Sequence, residues 1–158
     1  MTTTRAEARL SVSTFATSLI ESGIDRMYGV PDSTLDPLVE ALASSRRVDH
    51  RTCSNEAHAL AHAAGSFLAS GKPALVYLQN SGLGNVVNPY TSLLAPEAMG
   101  LPALLLMGWR SPPGVSDEPQ HRLMGKVTLP LLETLGICYA ILEDDAEIKP
   151  ALRRAQQP

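Results

Sequence analysis

A run of five apolar residues, Ala74-Leu75-Val76-Tyr77-Leu78, constrains the fold more than any other part of the chain. An unbroken apolar run of this length is typical of a strand that is covered on both faces in a parallel sheet. Residues 103–107 form a second such run, and glycine and proline precede each of the two. Both runs therefore predict central strands of a layered α/β domain.

The rest of the chain alternates shorter strand patterns with helical ones. Three further strands are predicted at residues 26–30, 48–52 and 137–142. Apolar residues at helical spacing predict helices around residues 12–20, 35–42, 56–70, 86–94 and 123–131, and a last helix that Pro150 interrupts. Five strands alternating with helices predict a doubly wound, mostly parallel sheet with helices on both faces.

Length and composition limit the classes of function. The 158 residues fit a single domain, with residues 1–10 as a frayed polar tail, and 44% of the residues are hydrophobic. A net charge of −3 without a basic cluster argues against a nucleic-acid face. No apolar run approaches the length of a membrane span, so a cytoplasmic protein is expected. Cys53 and Cys138 are expected to be reduced thiols.

Glu56 stands at the head of an alanine-rich helix. Ser54 or Asn55 is a suitable N-cap, which places the Glu56 carboxylate in the first turn, where the helix dipole favours an anion. The small residues behind it predict a buried helix that another backbone can approach closely. From this stretch alone, Glu56 is either an ordinary first-turn residue or a carboxylate aimed at a ligand.

Two polar turns follow predicted strands. Gly29-Val30-Pro31-Asp32-Ser33 and Gln79-Asn80-Ser81-Gly82-Leu83-Gly84-Asn85 each lead into a predicted helix, where backbone N–H groups favour anions. Neither turn has the G-x-G-x-x-G or Walker A pattern. Helix capping is the alternative role for Asp32, Ser33 and Asn85.

Other polar residues are given plain structural roles. His58 and His62 are spaced to share a metal ion, but no third ligand is placed near them, so no metal site is predicted. The plain role of Trp109 is that of an aromatic anchor. The plain role of Arg110 and of the acidic pair at 117–118 is that of solvated surface charges. The loop from about 108 to 119 is long enough to be functional.

Several of these segments, in this order, resemble one family of thiamine-diphosphate enzymes. The matching blocks are the two polar turns, Asn55-Glu56, Gly108-Trp109-Arg110 and Asp117-Glu118-Pro119-Gln120-His121. They resemble the family of phosphonopyruvate decarboxylases and sulfopyruvate decarboxylase α subunits, from about residue 12 to 142. The resemblance implies that the chain is the domain that receives the aminopyrimidine ring of the cofactor.

The resemblance also implies roles for individual residues. Glu56 would hydrogen-bond the pyrimidine nitrogen N1′ and so act in both catalysis and cofactor binding. Asp32 and His121 would handle the protons of substrate and intermediate. The other implied contacts are Ser33, Asn80 and Asn85 with substrate, and Ser81 with cofactor.

The sequence departs from the family pattern in two places. Ala57-His58 follows Asn55-Glu56 where the family usually has glycine, and no Gly-Asp-Gly motif is present to hold Mg²⁺ and diphosphate. The resemblance then implies a split enzyme, in which a separate β subunit holds both and pairs of α subunits form a hetero-oligomer. Phosphonopyruvate is the first expected substrate and 3-sulfopyruvate the second. The alternative is a catalytically idle α/β module that binds a partner or a small anion.

Overall fold

The computed structural model describes residues 10–156, and its centre is a sheet of four parallel strands. The strands are β1 (Arg26–Gly29), β2 (Asp49–Thr52), β3 (Leu75–Gln79) and β4 (Leu104–Gly108), in the spatial order β2-β1-β3-β4. Four of the five predicted strands are confirmed. The two apolar runs form β3 and β4, and β3 is the more deeply buried of the two.

Six α-helices connect and cover the strands in the described part of the chain. They are α1 (Val12–Glu21), α2 (Asp36–Ser44), α3 (Glu56–Ser70), α4 (Leu83–Pro89), α5 (Arg122–Thr134) and α6 (Asp145–Ala155). A π-helical turn, Tyr90–Leu94, continues α4, and short 3-10 turns, Asn80–Gly82 and Pro119–His121, precede α4 and α5. None of these helices is both long and apolar enough to cross a membrane.

The helices lie in two layers, one on each face of the sheet. Met27 and Leu75 pack with α1, α2 and α6, while Tyr28 and Val76 pack with α3, α4 and α5. Neighbouring residues of a strand point to opposite faces, so each strand contributes to both cores. This arrangement confirms the doubly wound α/β fold with helices on both faces.

The ends of α3 follow from its sequence. The Asn55 side chain accepts a hydrogen bond from the backbone N–H of His58, and Gly71 ends the helix at φ 70°. That left-handed conformation favours glycine because it has no Cβ. The expected burial holds for one face only: Ala59, Leu60 and Ala63 are buried, whereas Ala61 and Gly65 are exposed.

The predicted strand at 137–142 is wrong. Residues 137–142 form no strand, and Tyr139 and Ile141 are 43% and 47% exposed. Ile137 packs in one core and Leu142 in the other, so the segment passes the free edge of the sheet. An apolar pattern specifies burial, but a strand also needs a ladder of backbone hydrogen bonds, and none forms here.

The apolar face predicted for α5 is also wrong at one residue. Leu123 is 70% exposed, and the buried residues of the helix are Gly125, Thr128 and Leu132. The reason is the loop before the helix, which packs on Gly125: a Cβ there would overlap the Ser111 backbone. The predicted frayed tail at 1–10 lies almost wholly outside the described residues.

Candidate active site

The residues singled out in the sequence follow the carboxyl ends of the parallel strands. Asp32 follows β1, Glu56 follows β2, Asn80 follows β3 and Arg110 follows β4. Since all four strands are parallel, these ends meet at one edge of the sheet. This edge is where open α/β sheets bind their ligands.

Glu56 is a buried carboxylate that contacts α4. Its residue is 9% exposed, and Asn85 Nδ2 donates a hydrogen bond of 2.7 Å to Glu56 Oε2. No other hydrogen bond to this carboxylate comes from residues 10–156, which leaves Oε1 able to accept one from a ligand. Asn55 caps the helix, so capping does not explain Glu56.

Gly82 makes room for the Glu56 side chain. A Cβ on Gly82 would lie 2.6 Å from Glu56 Cγ and closer still to Cδ and Oε1. The backbone of Gly82 has φ −74°, which any residue can adopt. The observed position of the Glu56 carboxylate therefore depends on glycine at 82 because of this close approach and not because of backbone conformation.

Asp32 is the second buried carboxylate, and it is 4% exposed. It accepts hydrogen bonds from the Thr34 backbone N–H at 3.3 Å and from the Thr34 hydroxyl. Gly108 at the end of β4 approaches it so closely that a Cβ there would overlap Asp32 Oδ2. Its neighbour Ser33 is exposed at the same turn.

Asn80 is held entirely by the protein. It is 0% exposed; Nδ2 donates to Arg110 O at 3.1 Å and to Thr128 Oγ1 at 3.0 Å, and Oδ1 accepts from the Arg110 N–H at 3.2 Å. These contacts use both amide hydrogens. The structure thus turns the Asn80 side chain toward the loop, while Ser81 beside it is exposed and accepts a 2.7 Å bond from Gln79 Nε2.

The long loop is clamped at its base. Arg110 donates to Asp117 through Nε at 2.8 Å and through Nη2 at 2.7 Å, and the N–H of Glu118 donates to Asp117 at 2.8 Å. These bonds, chiefly the Arg110 pair, hold the pKa of Asp117 far below its ordinary value of 3.8. Trp109 Nε1 donates to Gly125 O at 3.0 Å.

His121 lies half-buried where the loop enters α5. Its electrostatic interaction with Asp117 adds a minor contribution to the lowered pKa of that carboxyl, after the hydrogen bonds from Arg110 and Glu118. Arg110 in turn interacts electrostatically with Asp32. The loop therefore connects His121 and Asp32 through charged neighbours, although no direct hydrogen bond joins the two.

Sequence reasoning missed the ion pair of Arg110 and Asp117, which it treated as separate surface charges. Opposite charges seven residues apart within a Pro- and Gly-rich loop were the available signal.

The two histidines of α3 have neighbours of their own. His58 Nδ1 lies 2.6 Å from Ser54 Oγ, and the His62 ring stacks on Tyr28 with centroids 5.4 Å apart. In residues 10–156 no group of three His, Cys, Asp or Glu side chains could hold a metal ion. Cys53 and Cys138 are both free thiols.

The geometry suits a ligand with a basic ring nitrogen. A buried carboxylate with one oxygen already hydrogen-bonded can share a proton with such a nitrogen through its other oxygen. Glu56 meets this requirement through Oε1, so the residues present fit the aminopyrimidine ring.

Comparisons with known proteins agree with this geometry. The chain is 42% identical over 135 residues to a phosphonopyruvate decarboxylase of Streptomyces hygroscopicus, a match that covers 85% of this chain and 33% of that protein. It is 30% identical over 123 residues to a sulfopyruvate decarboxylase subunit alpha of Methanococcus maripaludis, covering 77% of this chain and 71% of that subunit.

A solved structure shows the same fold. The X-ray structure of a putative thiamin diphosphate-dependent enzyme from Mycobacterium smegmatis matches with a TM-score of 0.53 and 25% identity, covering 65% of this chain and 19% of that one. The chain spans about a third of the length of the phosphonopyruvate decarboxylases it matches. Residues 12–129 match the family described as thiamine pyrophosphate enzyme, N-terminal TPP binding domain, and the chain therefore belongs to that family.

Proposed function

We propose that this chain supplies the pyrimidine-binding part of a thiamine-diphosphate-dependent 2-oxoacid decarboxylase. The observation that carries the proposal is the buried Glu56 carboxylate, which Asn85 orients through Oε2 and whose Oε1 has no hydrogen-bond partner among the described residues, in a chain of this family. When bound, thiamine diphosphate supplies the electron sink that a decarboxylation requires.

Glu56 is proposed to hold a proton shared with the ring nitrogen. Its burial favours a strong charge-assisted hydrogen bond, because little water competes for the carboxylate. The hydrogen bond from Asn85 to Oε2 holds the carboxylate in one rotamer. Oε1 is then already positioned to bind the ring nitrogen. We thus assign Asn85 an orienting role beside the predicted substrate contact.

Asp32 and His121 are proposed to handle protons on the substrate side. Thr34 holds the Asp32 carboxylate in place, and the clamped loop places His121 at the head of α5. Ser33 and Ser81 are exposed at the same edge of the sheet and remain proposed contacts of substrate and cofactor. Asn80 would act through the loop, since its amide is fully used by protein groups.

Phosphonopyruvate is the proposed first substrate. The chain is 40–42% identical to phosphonopyruvate decarboxylases and about 30% identical to sulfopyruvate decarboxylase α subunits, which favours the phosphonate. The reaction consumes one proton and releases CO₂ and phosphonoacetaldehyde. 3-Sulfopyruvate is the second proposed substrate.

A second chain is proposed to hold the diphosphate and Mg²⁺. The support is the similarity to relatives that are themselves named subunit alpha, of which this chain covers 71% and 78% in two cases. Pairing of two copies of this chain would use the exposed side of α3, where Ala61 and Gly65 allow a close approach.

The proposed function is tested by reconstitution. This chain is combined with a candidate partner chain that carries a Gly-Asp-Gly motif, thiamine diphosphate and Mg²⁺, and CO₂ release from phosphonopyruvate is measured. Activity that requires both chains is expected, with pyruvate a poor substrate. A complex that binds the cofactor but releases no CO₂ from any 2-oxoacid would leave the idle module as the better account.

A further inference from the structure

The geometry points to Arg110 as the residue that selects 2-oxoacids with a negatively charged tail. This inference rests on the proposed decarboxylase and assigns its specificity to one side chain. Arg110 lies two residues after the end of β4, at the edge of the sheet that carries Asp32 and Glu56.

The acidity of this edge creates the need for a cation. Asp32 and Glu56 are buried carboxylates, and Asp117 and Glu118 lie in the adjoining loop. A 2-oxoacid with a phosphonate or sulfonate tail brings at least two more negative charges, which these carboxylates repel. Arg110 interacts electrostatically with Asp32, Asp117 and Glu118, so its charge lies among them.

Arg110 is held at both its backbone and its side chain. The last paired residues of β3 and β4 are Gln79 and Gly108. Beyond them, the Asn80 amide bonds both the N–H and the C=O of Arg110, as a neighbouring strand would. The Asp117 carboxylate then fixes the guanidinium by two hydrogen bonds.

The fixed guanidinium still has donors to offer. An arginine side chain has five N–H groups. Asp117 takes two of them, at Nε and Nη2, and no other acceptor within residues 10–156 bonds this side chain, so three remain. The hydrogen bond to Asp117 raises the pKa of Arg110, which keeps it positively charged. A planar fork of N–H donors matches the oxygens of a phosphonate or sulfonate.

The alternative role for the Arg110–Asp117 pair is that of a structural clip, an ion pair that only stabilises the loop and does not contact substrate. The two roles differ in one measurable quantity, the ratio of kcat/KM for phosphonopyruvate to kcat/KM for pyruvate. A clip affects both substrates alike, since both need the same loop. A residue that bonds the charged tail affects only the substrate that has one.

The test uses substitutions in the assembled enzyme. Arg110→Gln combined with Asp117→Asn removes both charges and leaves no carboxylate unpaired. We expect kcat/KM for phosphonopyruvate to fall about 100-fold, with a change under about threefold for pyruvate. Arg110→Lys should restore part of the preference. Arg26→Gln is the matched control, because Arg26 is also partly exposed and paired with an aspartate, but it starts β1 at the opposite edge.

Two results separate this inference from the proposed function. A parallel loss with both substrates would overturn the role of Arg110 and leave the decarboxylase intact. Absence of any decarboxylation by the wild-type complex would overturn the proposed function. In that second case, the role of Arg110 is tested by adding phosphonoacetate to this chain and following the Arg110 Nε–H signal by NMR. Acetate, which lacks the phosphonate, is the comparison. A shift with phosphonoacetate alone supports it, and no shift contradicts it.

Discussion

Replacing Gly82 with alanine tests whether the position of the Glu56 carboxylate matters for function. The added Cβ would overlap the Glu56 side chain, with its Cγ at 2.6 Å and its Cδ and Oε1 closer. Normal contacts between carbon atoms begin near 3.5 Å. The carboxylate must therefore move by about 1 Å or more, and the 2.7 Å bond from Asn85 is lost or lengthened.

The expected cost in stability is small because the displaced group is the end of a flexible side chain. Loss of a hydrogen bond to a charged group costs about 1.5–3 kcal/mol, and replacing glycine by alanine at a φ/ψ that alanine can adopt returns about 0.4–1 kcal/mol by restricting the unfolded chain. The free energy of unfolding should fall by about 1–2 kcal/mol, which is roughly 2–8 °C in Tm for a domain of this size. Activity should fall much further, about 100-fold, because a displacement near 1 Å disrupts a positioned catalytic group.

The assay measures both quantities on one pair of variants. Urea unfolding of this chain gives the change in stability, and CO₂ release by the assembled enzyme gives the change in activity. Gly84→Ala is the matched control, since a Cβ at 84 meets nothing within 4 Å and Gly84 lies two residues further on, in the first turn of α4. If Gly82→Ala and Gly84→Ala have the same activity, the carboxylate position seen here is irrelevant to catalysis.

Two further predictions concern the sheet and the loop. Gly29→Ala should lower the free energy of unfolding by about 1–3 kcal/mol, because its Cβ would overlap the backbone of Tyr77 on the neighbouring strand; Gly65→Ala, where nothing lies within 4 Å, should not. Equal urea midpoints for the two variants would refute this. The carboxyl carbon of Asp117, followed by NMR, should titrate well below pH 3.8, and Arg110→Gln should bring its pKa back toward 3.8. Because the folded pKa is the lower one, the pair stabilises the loop above about pH 4 and loses that effect as the pH falls through the folded pKa; a normal titration in the wild type would contradict the bidentate pair.

Features that depend only on residues adjacent in the sequence, such as strands and helix caps, were predictable. The apolar run of β3 and the Asn55 cap and Gly71 end of α3 need only local patterns, and the structure confirms all of them. The polar turns were correctly placed after strands, because parallel strands bring their carboxyl ends to one edge.

The contacts that the sequence could not give are long-range ones. The hydrogen-bond partners of the Asn80 side chain lie 30 and 48 residues away, in the loop and in α5, so the turn alone does not reveal that this amide holds the loop. The buried face of α5 was misjudged because the loop packs against Gly125, a residue that carries no hydrophobic signal. Residues 137–142 have an apolar pattern but no neighbouring strand to pair with. Apolar periodicity cannot show whether such a neighbour exists.

The central claim is that the Glu56 carboxylate activates the cofactor, and Glu56→Gln tests it most directly. Glutamine keeps the shape of the side chain and its hydrogen-bonding reach, but it lacks the charge that stabilises a protonated ring. Glu40→Gln, on the exposed side of α2, is the control for the loss of one carboxylate.

The measurement is the exchange rate of the thiazolium C2 proton of thiamine diphosphate bound to the assembled enzyme, together with cofactor affinity. We predict that Glu56→Gln slows exchange about 10²–10³-fold, or roughly 3–4 kcal/mol, while the cofactor still binds and Glu40→Gln behaves as wild type. Exchange within about threefold of wild type, a difference under about 1 kcal/mol, would contradict the claim and reduce Glu56 to a residue of the first helical turn.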